Sequence, residues 1–255
     1  MAQPLKLKSG DFPDQLRAWA PDLAVVAAYG RILPADILAT PRLGCVNVHA
    51  SLLPKYRGAA PIQWAILNGE AETGVTIMRM NERMDEGDIL LQRATPIGAD
   101  ETTGTLQARL AEIGAAALRD ALAPILAGTL VPVAQDHAAA TLAPLIRKEQ
   151  GAIDWCAPAA VIERQVRGFN PWPSAYTTLH RTLLKLYRAR VLPGAASAPP
   201  GTVVGCDDGI RIATGAGVLA VDELQLAGRK SLAAADFARG SLRVGDRLGA
   251  PNPPV

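Results

Sequence analysis

The sequence predicts an α/β domain built on a doubly wound parallel sheet, followed by a small all-β unit folded as a barrel. Three observations predict it. Apolar strand-like runs alternate with helical periodicity through residue 127, as in a parallel sheet with crossover helices. Residues 130–150 carry Pro132 and Pro144 and little periodicity, which reads as a linker. Beyond it come short alternating segments, with Asp207-Asp208-Gly209 and Gly215-Ala216-Gly217 placed where hairpin turns belong.

Each element has its own signal. Phe12–Ala20 reads as a helix end. Leu23–Ala28 is a continuous apolar run closed by Gly30, which suits a strand buried on both faces. Cys45–His49 is a second short strand. Pro61–Leu67 suits a helix, with proline in its first turn and Asn68-Gly69 closing it. Val75–Met80 and Ile89–Ala94 are strands. Thr103–Ala127 is the clearest helix: Leu106, Leu110, Ile113, Ala117, Ala121 and Ile125 share one face, and Gly128 sits at the C-cap position. After the linker the reading is a helix over Pro158–Gly168, then strands at Ala175–Leu179, Leu183–Val191, Thr202–Val204, Ile210–Ala213 and Val218–Gln225.

Composition bounds the function. Hydrophobic residues make up 49% and charged residues 20% of the 255, which excludes a disordered chain. No apolar run reaches the length of a membrane span, and the N-terminus lacks a signal-peptide core. Three widely separated cysteines give neither a disulfide framework nor metal spacing, so a reducing cytoplasm is expected. The net charge of +2 is uneven: residues 1–146 carry −3 and residues 147–255 carry +5. A basic second half suggests a polyanionic partner, although the same excess spread over that length also suits plain solubility.

Asn47 and His49 lie two apart at a strand end, so their side chains share a face, and ligands of open α/β sheets bind beyond strand carboxyl ends. An amide donor beside an imidazole suits a reaction centre. The same pair equally suits a strand cap and a satisfied core histidine. Met84-Asp85-Glu86-Gly87-Asp88 offers carboxylates that could orient His49, serve glycoside hydrolysis, bind a divalent metal, or form only a solvated turn. Neither the dinucleotide-binding G-x-G-x-x-G nor a P-loop is present.

Together these segments resemble the folate-dependent formyltransferases. The resemblance rests on Asn47-Val48-His49-Ala50-Ser51-Leu52-Leu53-Pro54 and on the separation of Asp85 from it. It extends through the runs Arg57–Gln63, Glu72–Met78, Lys148-Glu149 with Ile153-Asp154-Trp155, and Phe169–Pro173. Within the family, the branch that formylates methionine on initiator tRNA is the most similar.

The resemblance implies a Rossmann-like catalytic domain over residues 1–130, a linker over 131–150 and an OB-like, tRNA-binding barrel over 151–255. It implies Asn47, His49 and Asp85 as the catalytic trio. Ser51, Leu52, Leu53 and Pro54, with Arg31, Ile32 and Leu33, are implied to bind N10-formyltetrahydrofolate, the formyl donor. No metal is implied. Arg147 and Lys148 match linker positions that contact tRNA. Charge alone adds Arg164, Arg167, Lys185, Arg188, Arg190, Arg229 and Lys230 as phosphate contacts. Phe169 and Trp172 are expected to pack rather than stack on bases. The expected partners are initiator methionyl-tRNA and tetrahydrofolate, for a cytoplasmic monomer with no membrane contact.

Ala2–Leu7 resembles a segment that follows the third strand in this family. About 70 residues are thus expected before it, and the chain is expected to be a truncation or to start from a mis-assigned codon. The Rossmann-like sheet is accordingly expected to be incomplete. Two other functions fit the same residues: formylation of an amino-sugar nucleotide (or hydrolysis of the formyl-folate), and a non-catalytic RNA-binding remnant.

Overall fold

The computed structural model describes residues 2–4, 7, 11–194, 197–207 and 209–249. Leu5 and Lys6 of the N-terminal segment, and Asp208 of the expected turn, lie outside them. The chain forms two compact units, Met1–Trp64 with Ala71–Gly98 and Leu106–Leu145, and Ala65–Glu70 with Ala99–Thr105 and Ile146–Val255.

The elements up to residue 143 run α1 (Phe12–Trp19), β1 (Ala24–Ala27), α2 (Ala35–Leu38), β2 (Cys45–His49), β3 (Arg57–Gly58), α3 (Pro61–Leu67), β4 (Glu72–Arg79), β5 (Ile89–Pro96), α4 (Thr103–Ala127) and β6 (Leu142–Ala143). The main sheet has the order β1-β2-β4-β5. It is mixed rather than parallel, which corrects the expectation. β1 and β2 are parallel, but β4 pairs antiparallel to β2, with Val46 opposite Arg79 and His49 opposite Thr76. The reason is where the connection delivers the chain: β4 begins at the end of the sheet where β2 stops, and a parallel partner needs a crossover back to the other end. β5 then returns antiparallel to β4, as edge strands of mixed sheets often do.

The expectation that β1 is buried on both faces is also corrected. It is outermost among the described strands, its burial alternates, and Val25 is exposed. An apolar run is dry on both sides only where elements cover both. Leu33, Ile37 and Cys45 nevertheless form a small core with Phe12, Leu16, Val26 and Met80 packed around it. Val46, Val75, Ile77 and Met78 are buried in β2 and β4, and Leu106, Leu110, Ala117, Ala121 and Ile125 in α4. A Cβ on Gly114 would meet Val48 Cγ1 at 2.9 Å, so α4 lies directly on this sheet. Gly128 closes α4 in the left-handed region, as its position predicts.

The second unit continues with α5 (Ala159–Gly168), β7 (Ala175–Leu179), β8 (Thr182–Leu192), β9 (Val203–Gly205), β10 (Ile210–Ala213), β11 (Val218–Leu226), β12 (Leu232–Ala233) and α6 (Ala234–Ser241). Its antiparallel strands follow the order β7-β8-β11-β10-β9, with β12 beside β11. The tail joins the two edges. Thr178 on β7 and Gly249 exchange both backbone hydrogen bonds, while Leu248 N–H donates to Gly201 O and Val203 N–H donates to Asp246 O. The sheet therefore curls around a core that includes Ile162, Leu184, Leu186, Ile210, Ile212, Leu219 and Leu224. Curling leaves few backbone groups unpaired at its edges.

Candidate active site

Strand alternation in β2 brings Asn47 and His49 to one face, as expected. His49 is buried, and its Nε2 lies 2.9 Å from the Tyr56 carbonyl oxygen. A carbonyl only accepts, so Nε2 carries the proton and donates. Nδ1 then faces the Asp85 carboxylate, with Oδ2 at 3.7 Å. That is an ion-pair distance but too long for a hydrogen bond, so a proton on Nδ1 keeps its directional capacity. The Asn47 amide is half-buried and makes no hydrogen bond among the described residues.

Asp85 reaches His49 from the loop between β4 and β5. Its backbone is left-handed, φ +54°, an unusual state for a residue with a side chain. Two contacts hold it. Oδ2 accepts the Gly58 N–H at 2.9 Å, and the Asp85 carbonyl accepts from Gln135 Nε2 at 2.8 Å. Gly58 itself sits at φ +125°, where a Cβ would lie 2.6 Å from the Ala143 oxygen. Only glycine fits where β3 pairs with β6. Tyr56 N–H donates to Thr141 Oγ1 and Arg57 N–H to Thr141 O, which fixes the carbonyl that holds His49.

Ser51, Leu52, Leu53 and Pro54 form a shaped loop just after β2. The Leu53-Pro54 peptide is cis. Ser51 is fully buried; its hydroxyl donates to Lys55 O, and its carbonyl accepts from Thr76 Oγ1 at 2.7 Å. Thr76 Oγ1 in turn accepts from Leu53 N–H and from Gln92 Nε2, which also donates to Leu53 O. One hydroxyl thus uses its donor and both acceptor sites to fix this loop on the sheet. Arg31 and Ile32 are exposed after β1, whereas Leu33 is in the small core.

Arg147 and Lys148 are exposed, and Lys148 opens a single 3-10 turn ending at Gly151. Lys185 is half-buried, while Arg188, Arg229 and Lys230 are exposed. Of the remaining charge-based candidates, Arg167 and Arg190 are engaged internally. Arg167 bonds Glu163 through two nitrogens and donates to Glu101 O. Arg190 pairs with Asp222 at 3.3 Å. Arg164 has a buried Nε with no hydrogen-bond partner, and its guanidinium side lies against Gly69. Phe169 is buried but Trp172 is 53% exposed, where packing was expected of both.

Several residues that build the site were not singled out from sequence. Gln92 and Thr141 look like ordinary strand or loop residues, and Thr76 figured only within a strand and the family-like run Glu72–Met78. Arg57 figured in the family-like run and in the loop after β2, but with no role of its own. Gln135 lies in an aperiodic stretch and is buried all the same. Nothing in their spacing marks them, because each acts through partners distant in sequence.

Residues 2–122 match the formyl transferase family, and residues 145–242 match the formyl transferase C-terminal domain. The chain belongs to the formyltransferase family. It is 49% identical over 249 residues to the methionyl-tRNA formyltransferase of Citrifermentans bemidjiense, covering 97% of this chain and 78% of that protein. It is 51% identical over 253 residues to the methionyl-tRNA formyltransferase of Anaeromyxobacter dehalogenans, covering 97% and 80%. Among solved structures, HypX from Aquifex aeolicus in complex with tetrahydrofolic acid shares its fold, with TM-score 0.67 and 20% identity over 95% of this chain. This chain spans 43% of HypX. The N-formyltransferase of Helicobacter canadensis, solved with folinic acid and dTDP-3-aminofucose, also shares the fold, with TM-score 0.61 and 20% identity. The match to the Helicobacter canadensis structure covers 75% of this chain and 70% of that one.

Proposed function

We propose that this chain transfers the formyl group of N10-formyltetrahydrofolate to the amino group of methionine on initiator tRNA. The observation that carries the reading is the Asn47–His49–Asp85 arrangement in a chain about half identical to named methionyl-tRNA formyltransferases. The amine nitrogen attacks the formyl carbon, a C–N bond forms, and the carbonyl oxygen becomes an oxyanion. The Asn47 amide donates to it. His49 donates through Nδ1–H, since Nε2 is held by the Tyr56 carbonyl. Such preorganised donors are each worth about 10²–10³ in rate.

Asp85, fixed by Gly58 N–H, stabilises the imidazolium without consuming the Nδ1 proton, and its carboxylate accepts the proton lost by the amine. The bond to N10 then breaks, and N10 takes up a proton. The loop of Ser51, Leu52, Leu53 and Pro54 forms part of the folate site, with Arg31, Ile32 and Leu33 on its pterin side. The curled second unit is OB-like and holds tRNA, with Arg147 and Lys148 on phosphates. The enzyme works as a cytoplasmic monomer without a metal.

The test is formylation of methionyl initiator tRNA by the purified chain with N10-formyltetrahydrofolate. Formylmethionyl-tRNA is expected. No product from a folded chain that binds folate would overturn the reading in favour of an amino-sugar acceptor.

A further inference from the structure

Arg57 is a buried cation, and its surroundings lead to the trio. Its Nε and Nη2 both donate to Gln135 Oε1, at 3.1 and 2.8 Å. Nη2 also donates to His137 Nδ1 at 3.1 Å, and Nη1 lies 3.6 Å from Glu86 Oε1. The other end of Gln135 does something Arg57 does not require. Its Nε2 donates to Asp85 O at 2.8 Å and to Gly87 O at 2.7 Å. One amide therefore spends both donors on the two carbonyls that flank Glu86, in the loop that presents the Asp85 carboxylate. Asp85 holds a left-handed backbone there, a conformation that persists only when neighbours over-determine it.

We propose that Gln135 is a positioning residue for Asp85: the Gln135 amide, itself oriented by Arg57, holds the loop so that the carboxylate faces His49. This deepens the proposed formyl transfer and rests on Asp85 acting in it. Glutamine alone meets both demands. Its carbonyl end must accept two N–H groups from a cation, and its other end must donate twice. A glutamate satisfies Arg57 equally well but turns a bare oxygen toward the Asp85 and Gly87 carbonyls. Once protonated it regains one donor.

The experiment measures kcat, both KM values and the pH profile for Gln135→Glu and for the apolar, similarly sized Gln135→Met. Near neutral or higher pH, Gln135→Glu is expected to lose roughly ten- to a hundredfold in kcat, the scale of a small misplacement of a reacting group. Both KM values should stay within a few-fold. The deficit should shrink as pH falls and the new carboxyl protonates, while Gln135→Met stays deficient at every pH. Wild-type kcat in Gln135→Glu, or a deficit independent of pH in it, would overturn the proposal. So would a loss carried wholly by KM or by melting temperature. If neither variant folds, Gln135→Asn, too short to span Arg57 and the loop, must lower kcat, and an unchanged kcat overturns the idea. An inactive wild-type chain would instead fail the proposed function itself.

Discussion

His49 shows how one residue acquires a chemical direction. Its Nε2 is committed to the Tyr56 carbonyl, so only Nδ1 can face a reacting group, and Asp85 stands 3.7 Å from it. Asn47 differs, since its amide keeps its hydrogen-bonding capacity. Asn47→Ala is therefore expected to lower kcat about 10²–10³-fold, the usual cost of one oxyanion donor, with little change in tRNA affinity. Asp85→Asn should also abolish most turnover, because an amide can neither stabilise the imidazolium nor accept the amine proton. Steady-state kinetics with a filter-binding assay for tRNA separates the effects. A large loss of tRNA affinity in either variant would count against these roles. The face shared by Asn47 and His49 was legible from strand alternation alone. A carboxylate of the Asp85 turn was also expected beside His49, but the Tyr56 carbonyl that takes Nε2 and the Gly58 N–H that holds Asp85 were not, because they meet these side chains only through tertiary contacts.

At the scale of elements, legibility followed length. α4 declared itself by repeated apolar spacing and a glycine cap, and β1 by its apolar run. β3 and β6 did not, because each has two residues and exists only by pairing across more than 80 positions, Arg57 with Leu142 and Gly58 with Ala143. α2, with four residues, is likewise too short for a period to emerge. The mixed direction of the sheet was hidden for another reason: the spacing of strands does not say at which end a connection re-enters. Yet the smallest ladder bears directly on the site. Gly58→Ala forces a Cβ to within 2.6 Å of the Ala143 oxygen at a φ that favours glycine, while the same residue's N–H holds Asp85. Strain of this kind costs on the order of 1–3 kcal/mol. The expected outcome is a lower denaturant midpoint together with a kcat loss. A fully stable Gly58→Ala with wild-type activity would show that the ladder does not set the position of Asp85.

Across the whole molecule the decisive quantity is charge that remains uncompensated. The +5 of residues 147–255 does not act as a uniform coat. Arg167, Arg190, Arg211 and Arg239 pair with Glu163, Asp222, Asp207 and Asp236, so those cations are already answered within the unit. Exposed Arg147, Lys148, Arg188, Arg229 and Lys230 lie outside these pairs. The resemblance set Arg147 and Lys148 apart, but charge alone ranked Arg167, Arg188, Arg190, Arg229 and Lys230 equally, since formal charge is visible in a sequence and its compensation is not. A cation that neutralises a phosphate releases counterion, and each such contact steepens the salt dependence of binding by about 0.7–0.9 in log–log slope. Lys148→Ala should thus weaken tRNA binding and lower that slope by about one. Arg190→Ala should change it less, because Asp222 already screens that guanidinium. Binding isotherms from low to physiological salt decide the matter. An unchanged slope in Lys148→Ala removes Lys148 from the phosphate contacts, and an equal drop in both variants means that internal pairing does not select which cations meet the tRNA.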